Sequence, residues 1–203
     1  MQEMEKIAKR GFDIVSSMLA LLVLSPVMLA IAIMIKVEDR GPVLYAQTRV
    51  GKDFVPFRLL KFRTMVVGAS EIGPAITVEG DARVTRIGKV LRKYKLDELP
   101  QLINVLKGDM SIVGPRPEDP RYVRVFNDDY EVILRVRPGI TDYATLEYRN
   151  EESVLAGYDD PERAYTEVIL PRKIELSKRY IAEQSFFRDI VIILKTILMI
   201  VSG

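Results

Sequence analysis

The residues best placed to do chemistry are a carboxylate pair, Asp97-Glu98, set between a run of cations and Pro100. Pro100 suits the first turn of a helix that continues through Leu102, Ile103 and Leu106 to a stop at Gly108. The pair is thus expected at a helix N-terminus, where the macrodipole favours negative charge and keeps both groups ionised. Upstream, Arg83, Arg86, Lys89, Arg92 and Lys93 recur at three- and four-residue spacing, with Val84, Ile87, Leu91 and Tyr94 on the opposite face. That pattern predicts a helix with one basic side and one core side beside the carboxylates. Downstream, Gly114-Pro115-Arg116-Pro117 fixes the backbone on both sides of one arginine, so its guanidinium is aimed.

What the chain lacks narrows the chemistry further. It has no histidine and no cysteine, which removes the usual general base, thiolate nucleophiles, disulfides and cysteine-ligated metal clusters. Catalysis must run on carboxylates, Lys, Tyr or Ser, and any metal site must be built from oxygen ligands, which selects hard cations such as Mg²⁺. A net charge of +2 makes the basic residues local clusters and not a global field, so nucleic acid is not implied. With 203 residues, 48% of them hydrophobic, the chain can form a core as one domain, with membrane elements appended.

Several elements must position these groups. Residues Ile14 to Ile35 form an apolar run broken only by Ser16, Ser17 and Ser25-Pro26, long enough to cross a bilayer. Pro26 lacks an N–H and clashes with the carbonyl of Leu22, so the helix is expected to kink or break at Ser25-Pro26. Lys6, Lys9 and Arg10 precede the run and Lys36 and Arg40 follow it, so the positive-inside rule places both ends on the cytoplasmic side. A plain transmembrane anchor and a re-entrant hairpin both remain open on these grounds. A cleaved signal ranks below both, because apolar residues continue past Ala30-Ile31-Ala32. After Gly41-Pro42, the segments Val43 to Gln47 and Phe54 to Phe62 flank a turn at Gly51-Lys52-Asp53 and predict a short β-hairpin. It is closed by Lys61-Phe62-Arg63-Thr64-Met65.

Val67 to Asp81 reads as a loop over the site. A helix is expected from Asp119-Pro120 through Tyr130 and Leu134, a turn at Arg137-Pro138-Gly139, and helices opened by Asp160-Pro161 and by Pro171. Phe186 to Val201 is almost wholly apolar and predicts a helix either at a membrane interface or buried against the core. The fold class is α+β and mostly helical.

In their order, these pieces resemble the small monotopic phosphoglycosyl transferases, the bacterial sugar transferase family. The resemblance rests on Ser25-Pro26, Gly41-Pro42-Val43, Arg49-Val50-Gly51, Lys61 to Met65, Leu96-Asp97-Glu98-Leu99-Pro100-Gln101-Leu102, Gly108-Asp109-Met110-Ser111, Gly114 to Pro117 and Arg137-Pro138-Gly139-Ile140-Thr141. It spans nearly the whole chain. It implies one catalytic domain over residues 1–203, held at the cytoplasmic face of the bacterial inner membrane by a re-entrant helix at about residues 12–36. The implied reaction moves a sugar 1-phosphate from a nucleotide diphosphate sugar, a UDP-sugar, to polyprenol phosphate through a covalent aspartyl intermediate, with Mg²⁺.

The resemblance makes Asp97 the nucleophile and a metal contact, with Glu98 beside it as the second catalytic carboxylate. Arg92 and Arg116 become phosphate or nucleotide contacts, with Lys61 and Arg63 as further contributors. Such an arrangement suits displacement at a pyrophosphate, where positive charge must neutralise the transition state. One departure stands out: Asp142-Tyr143-Ala144-Thr145 replaces the Gly-Leu-Ala-Gln of many members, in a segment that bears on sugar preference. A competing class is a non-catalytic membrane-anchored binding module in which Asp97 and Glu98 merely cap a helix.

Overall fold

In the computed structural model, which describes residues 3–201 apart from 70 and 75, the apolar run lies inside one 37-residue helix, α1 (Glu3–Asp39). Among the described residues this is the one helix long and apolar enough to cross a membrane. The break expected at Ser25-Pro26 does not occur, since α1 continues through Pro26. A helical proline leaves the carbonyl four residues back without its donor. Here that carbonyl, on Leu22, accepts from Ser25 Oγ at 2.8 Å, so the serine supplies the bond its neighbour cannot make.

Both ends of α1 dock on the rest of the protein. Near the N-terminal end, Lys9 Nζ donates to the Val113 carbonyl (2.9 Å) and pairs with Asp189. One turn on, Asp13 accepts from Ser111 Oγ (2.8 Å) and from the Ile112 N–H (3.0 Å). Near the other end, Ile31 and Ile35 are buried in a cluster with Phe62 and Leu91, and Asp39 pairs with Arg63. Burying each of these large side chains contributes about 1.5–3 kcal/mol. The residues between, 18–30, are exposed or only half-buried.

The hairpin forms as expected. β1 (Leu44–Val50) and β2 (Pro56–Phe62) are antiparallel, with Leu44 opposite Phe62 and Val50 opposite Pro56. The free edge of β2 would expose unpaired backbone groups, and buried Asn104 takes them up. Its amide donates to the Arg58 carbonyl (2.8 Å) and its Oδ1 accepts from the Leu60 N–H (3.0 Å). That ties the hairpin to α3 (Gln101–Lys107), whose end falls at Gly108 as the sequence predicts.

The basic helix is shorter than its periodicity implies. α2 (Arg86–Lys93) starts after Thr85, whose hydroxyl accepts from the Gly88 N–H at 2.9 Å. Arg83 therefore lies outside the helix. Its guanidinium binds Asp81 and the carbonyls of Ala69 (3.1 Å) and Pro74 (2.8 Å), stitching together the loop that Val67 to Asp81 predicted. Residues 70 and 75 of that loop lie outside the described residues.

A second sheet arises where only turns were expected. β3 (Ser111–Val113) pairs in parallel with β4 (Gly139–Thr141), Ser111 opposite Gly139 and Val113 opposite Thr141. Gly139 is therefore a strand residue, not the end of a turn. A Cβ on it would lie 2.1 Å from the Gly114 nitrogen, so the two backbones cross at a distance only glycine permits.

The helix from Asp119-Pro120 divides at Phe126 into α4 (Pro120–Val125) and α5 (Asn127–Ile133). Next come α6 (Tyr143–Glu147) and α7 (Glu151–Leu155). Asp160 and Pro161 open α8 (Pro161–Ala164), which runs without a stop into α9 (Leu170–Glu183). The connection is a five-residue π turn, Tyr165–Ile169, and this wider turn accommodates Pro171 inside a continuing helix. α10 (Phe186–Val201) closes the chain's order of elements, with Ile192 buried and Phe187, Leu194, Ile197 and Leu198 exposed. The fold is mostly helical with two small sheets.

Candidate active site

Asp97 and Glu98 lie in a short 3₁₀ turn, Leu96–Glu98, between α2 and α3. Leu96 and Leu99 pack on the cluster formed by Ile31, Ile35, Phe62 and Leu91, so the turn rests on the C-terminal half of α1. At the far end of α3, Arg10 donates to the carbonyls of Val105 (2.7 Å) and Leu106 (3.0 Å), a cation at the helix C-terminus that suits its dipole. The carboxylates are thus braced from both halves of α1. Among the described residues, neither of them caps α3, whose N-cap Pro100 has no side-chain partner. The pair is not explained as helix capping.

The two carboxylates live in different surroundings. Glu98 is held in a bidentate pair by Arg116, with Nη1 at 3.3 Å and Nη2 closer, and by Lys61 Nζ at 3.1 Å. Burial opposes its ionisation, but Arg116 and then Lys61 outweigh it and hold its pKa well below the usual glutamate value. In return Glu98 raises the pKa of Arg116. Asp97 is 7% exposed, and its Oδ1 is buried with no hydrogen-bond partner among the described residues. Burial raises its pKa above the ordinary aspartate value, and adjacent Glu98 adds to this, against Lys61, Arg92 and Lys95. Ionisation here is set by neighbours of each side chain more than by the helix dipole. Glu98 is a spoken-for anion; Asp97 is the one left with bonding capacity.

The cations come from separate elements. Lys61 is on β2 and Arg116 on the segment after β3, whereas Arg92 is in the last turn of α2. Arg92 Nε donates to Thr64 Oγ1 at 2.9 Å and its Nη1 pairs with Glu152 at 2.8 Å. α2 can lie this close because Gly88 faces Thr64, where a Cβ would meet the Thr64 carbonyl oxygen at 2.1 Å. Arg63 makes none of these contacts. Its donors are taken by Asp39 and by the carbonyls of Pro42 and Met65 (3.1 Å), so it fastens the end of α1 to the hairpin.

Three further residues stand at the site, of which Glu152 and Lys95 carry no assigned role in the sequence and Asp142 enters only as the start of the Asp-Tyr-Ala-Thr departure. Glu152 partners Arg92 from α7, sixty residues away, which no local spacing could reveal. Asp142 is fully buried; it caps α6 by accepting from the Thr145 N–H (2.7 Å) and accepts from the Arg116 N–H (3.3 Å). The Asp-Tyr-Ala-Thr departure therefore supports the arginine loop from beneath. Lys95 stands in left-handed conformation (φ 55°) two residues before Asp97, and its ammonium makes no hydrogen bond or ion pair with a described residue. Its signal was present as the cation nearest the pair.

Asp97 can serve a divalent cation. Among the described residues no group of three or more Asp, Glu, His or Cys forms a protein cage. One buried carboxylate oxygen without a partner fits Mg²⁺, which keeps several waters and takes one or two carboxylates together with substrate phosphates.

The chain matches the family model described as bacterial sugar transferase over residues 4–203. It is 42% identical over 198 residues to a UDP-N-acetylgalactosamine-undecaprenyl-phosphate N-acetylgalactosaminephosphotransferase of Aeromonas hydrophila, covering 96% of this chain and 44% of that protein. It is 38% identical to the UDP-glucose:undecaprenyl-phosphate glucose-1-phosphate transferase of Escherichia coli, covering 95% of this chain and 40% of the relative. The chain thus spans less than half the length of these two relatives. With the exopolysaccharide production protein ExoY of Sinorhizobium fredii it shares 34% identity, and the match covers 94% of this chain and 84% of that protein.

Proposed function

Because the chain belongs to the bacterial sugar transferase family, we propose that it transfers a sugar 1-phosphate from a nucleotide diphosphate sugar, a UDP-sugar, to polyprenol phosphate as one catalytic domain. The activities for which its relatives are named support a UDP-sugar donor and undecaprenyl phosphate as acceptor. The observation that carries the mechanism is the contrast within the dyad, one carboxylate clamped by two cations and the other buried with an oxygen that has no partner among the described residues.

In this reading an Asp97 oxygen attacks the sugar-linked phosphorus of the donor. The bond from that phosphorus to the bridging oxygen breaks, and nucleotide monophosphate leaves with the electron pair. An oxygen of polyprenol phosphate then attacks the same phosphorus, the aspartyl bond breaks, and the carboxylate is regenerated. No proton transfer is required, which suits a chain without histidine. Glu98 orients Arg116 and Lys61 toward the phosphates, and Arg92 supplies a third cation from α2. Arg63 acts at one remove, by holding the strand that carries Lys61. Asp97 would hold Mg²⁺, which when bound supplies neutralisation of phosphate charge. Incubating the protein with UDP-sugars, without acceptor, is expected to add one sugar-phosphate mass and release one UMP. Absence of both across the common UDP-sugars sinks this mechanism.

The same proposal places the enzyme at the cytoplasmic face of the bacterial inner membrane, with α1 entering and leaving the bilayer on one side. Support comes from its two ends, which both contact the protein body while the apolar stretch between them is exposed. A spanning helix would separate those ends by about 30 Å of hydrocarbon. Single cysteines at Lys6 and Lys36 are clean reporters in a chain without any. Both should react with an impermeant maleimide from the same face of sealed vesicles; labelling from opposite faces sinks the re-entrant reading.

A further inference from the structure

Four cations surround the Asp97-Glu98 turn, and three of them are already engaged. Lys61 and Arg116 share Glu98, and Arg92 is divided between Thr64 and Glu152. Lys95 is the exception, half-buried yet with its ammonium lacking a hydrogen-bonding or ion-pairing partner among the described residues. Lys95 is the N-cap of the turn that carries Asp97 and Glu98, which places it in the same cluster; burial lowers its pKa, with Glu98 and Asp97 opposing and Arg116 and Lys61 adding to that. Its backbone is also unusual. Lys95 holds φ 55° and ψ 21°, a conformation that costs a non-glycine residue about 1 kcal/mol or more, and its carbonyl accepts from the Glu98 N–H at 3.3 Å. A left-handed residue at the end of α2 serves to turn the chain, and Asn or Gly would do that with less strain. A lysine there puts a charge where turn geometry asks for none.

We propose that Lys95 is a catalytic residue whose ammonium binds the phosphoryl group that is transferred through Asp97, neutralising its charge in both halves of the reaction. The inference rests on the transferase reading and adds a residue to it. Lys95 needs to break no ion pair to accept a phosphate oxygen, whereas each of the other three cations must give one up or share it. The phosphorus bonded to Asp97 is the one centre common to donor cleavage and acceptor attack. A cation fixed two residues away is therefore available to both steps. The leaving phosphate of the donor would use it only in the first, and the acceptor's phosphate only in the second.

The test uses Lys95→Asn, which removes the charge and tolerates the left-handed backbone. Two rates are read by rapid quench: UMP release from donor without acceptor, and discharge of the preformed adduct by polyprenol phosphate. Both are expected to fall about 10²-fold, the scale of losing one charge-stabilising contact. Lys95→Arg should restore most of the lost rate, and the melting temperature of Lys95→Asn should match or exceed that of wild type. Unchanged rates, or a loss confined to one half-reaction, overturn the assignment.

A third measurement does not depend on turnover. Inorganic pyrophosphate titrated calorimetrically should bind Lys95→Asn about tenfold more weakly than wild type, a difference of about 1.4 kcal/mol. Equal affinities, absent binding in wild type included, overturn the proposal. A wild type that binds pyrophosphate but releases no UMP from any donor would instead count against the transferase reading alone.

Discussion

Asp97→Asn is expected to lower turnover by at least ~10⁴-fold, the scale seen when a group that forms the covalent intermediate is removed. The substitution keeps the shape and loses only the charge and the nucleophilic oxygen. Intact mass after incubation with donor should show no sugar-phosphate adduct, in contrast to wild type. Stability should move the other way. In the fold Asp97 is buried beside Glu98 with an unpartnered oxygen, and its pKa is raised, so above the unfolded value of 3.8 its ionised form costs folding energy. An uncharged amide removes that cost, and without added metal the melting temperature should rise at neutral pH. Activity retained within tenfold of wild type would exclude Asp97 as the nucleophile. A melting temperature that falls would show that the carboxylate is structural.

Gly139→Ala should be the most damaging single methyl that can be added outside the dyad. The new carbon would lie 2.1 Å from the Gly114 nitrogen, 2.5 Å from its oxygen and 2.6 Å from its Cα, all backbone atoms. Relief requires opening the β3–β4 ladder, and with it the bond from the Gly139 N–H to the Pro115 carbonyl (2.9 Å). Arg116 follows directly, so the bidentate hold on Glu98 is lost together with the strand pairing. Overpacking of this kind costs about 1–3 kcal/mol or more, and an arginine displaced by ~1 Å reduces kcat/KM by about 10²-fold. Urea midpoints and UMP release measure the two effects. Gly11→Ala is the control, since no heavy atom lies within 4 Å of its Cβ position. Equal urea midpoints for Gly139→Ala and wild type would mean that the crossing yields to a methyl group without cost.

The reasons some of this was legible in the sequence, and some not, are physical. The hairpin, the stop at Gly108 and the last helix are written in local signals, such as β-branched runs around a glycine turn or an apolar stretch with one bounded face. The dyad was visible because two acids beside five basic residues stand out in a short window. The β3–β4 pair was not, because strands of three residues carry no alternation, and Arg137-Pro138-Gly139 satisfies turn chemistry equally well. Arg83 was assigned to α2 by spacing alone; the cap at Thr85 decided otherwise. At Pro26 the local rule on proline held, but a neighbouring serine met its consequence within the helix. The partners of Arg92 and Arg63 are set by tertiary contacts across 60 and 24 residues, beyond the reach of any periodicity.

The docking of α1 also fixes an order of assembly during synthesis. α1 leaves the ribosome before the elements it docks on, carrying Lys9 and Asp13, two charges that are buried in the finished protein. The group that pairs with Lys9 is Asp189, 180 residues later, and the donors for Asp13 are Ser111 and Ile112, about 100 residues later. Until then α1 must carry both charges in water or among lipid headgroups while its apolar middle already favours the bilayer. Completion of the nascent chain as far as α10 thus supplies the last of the polar contacts that seat α1 on the rest of the fold.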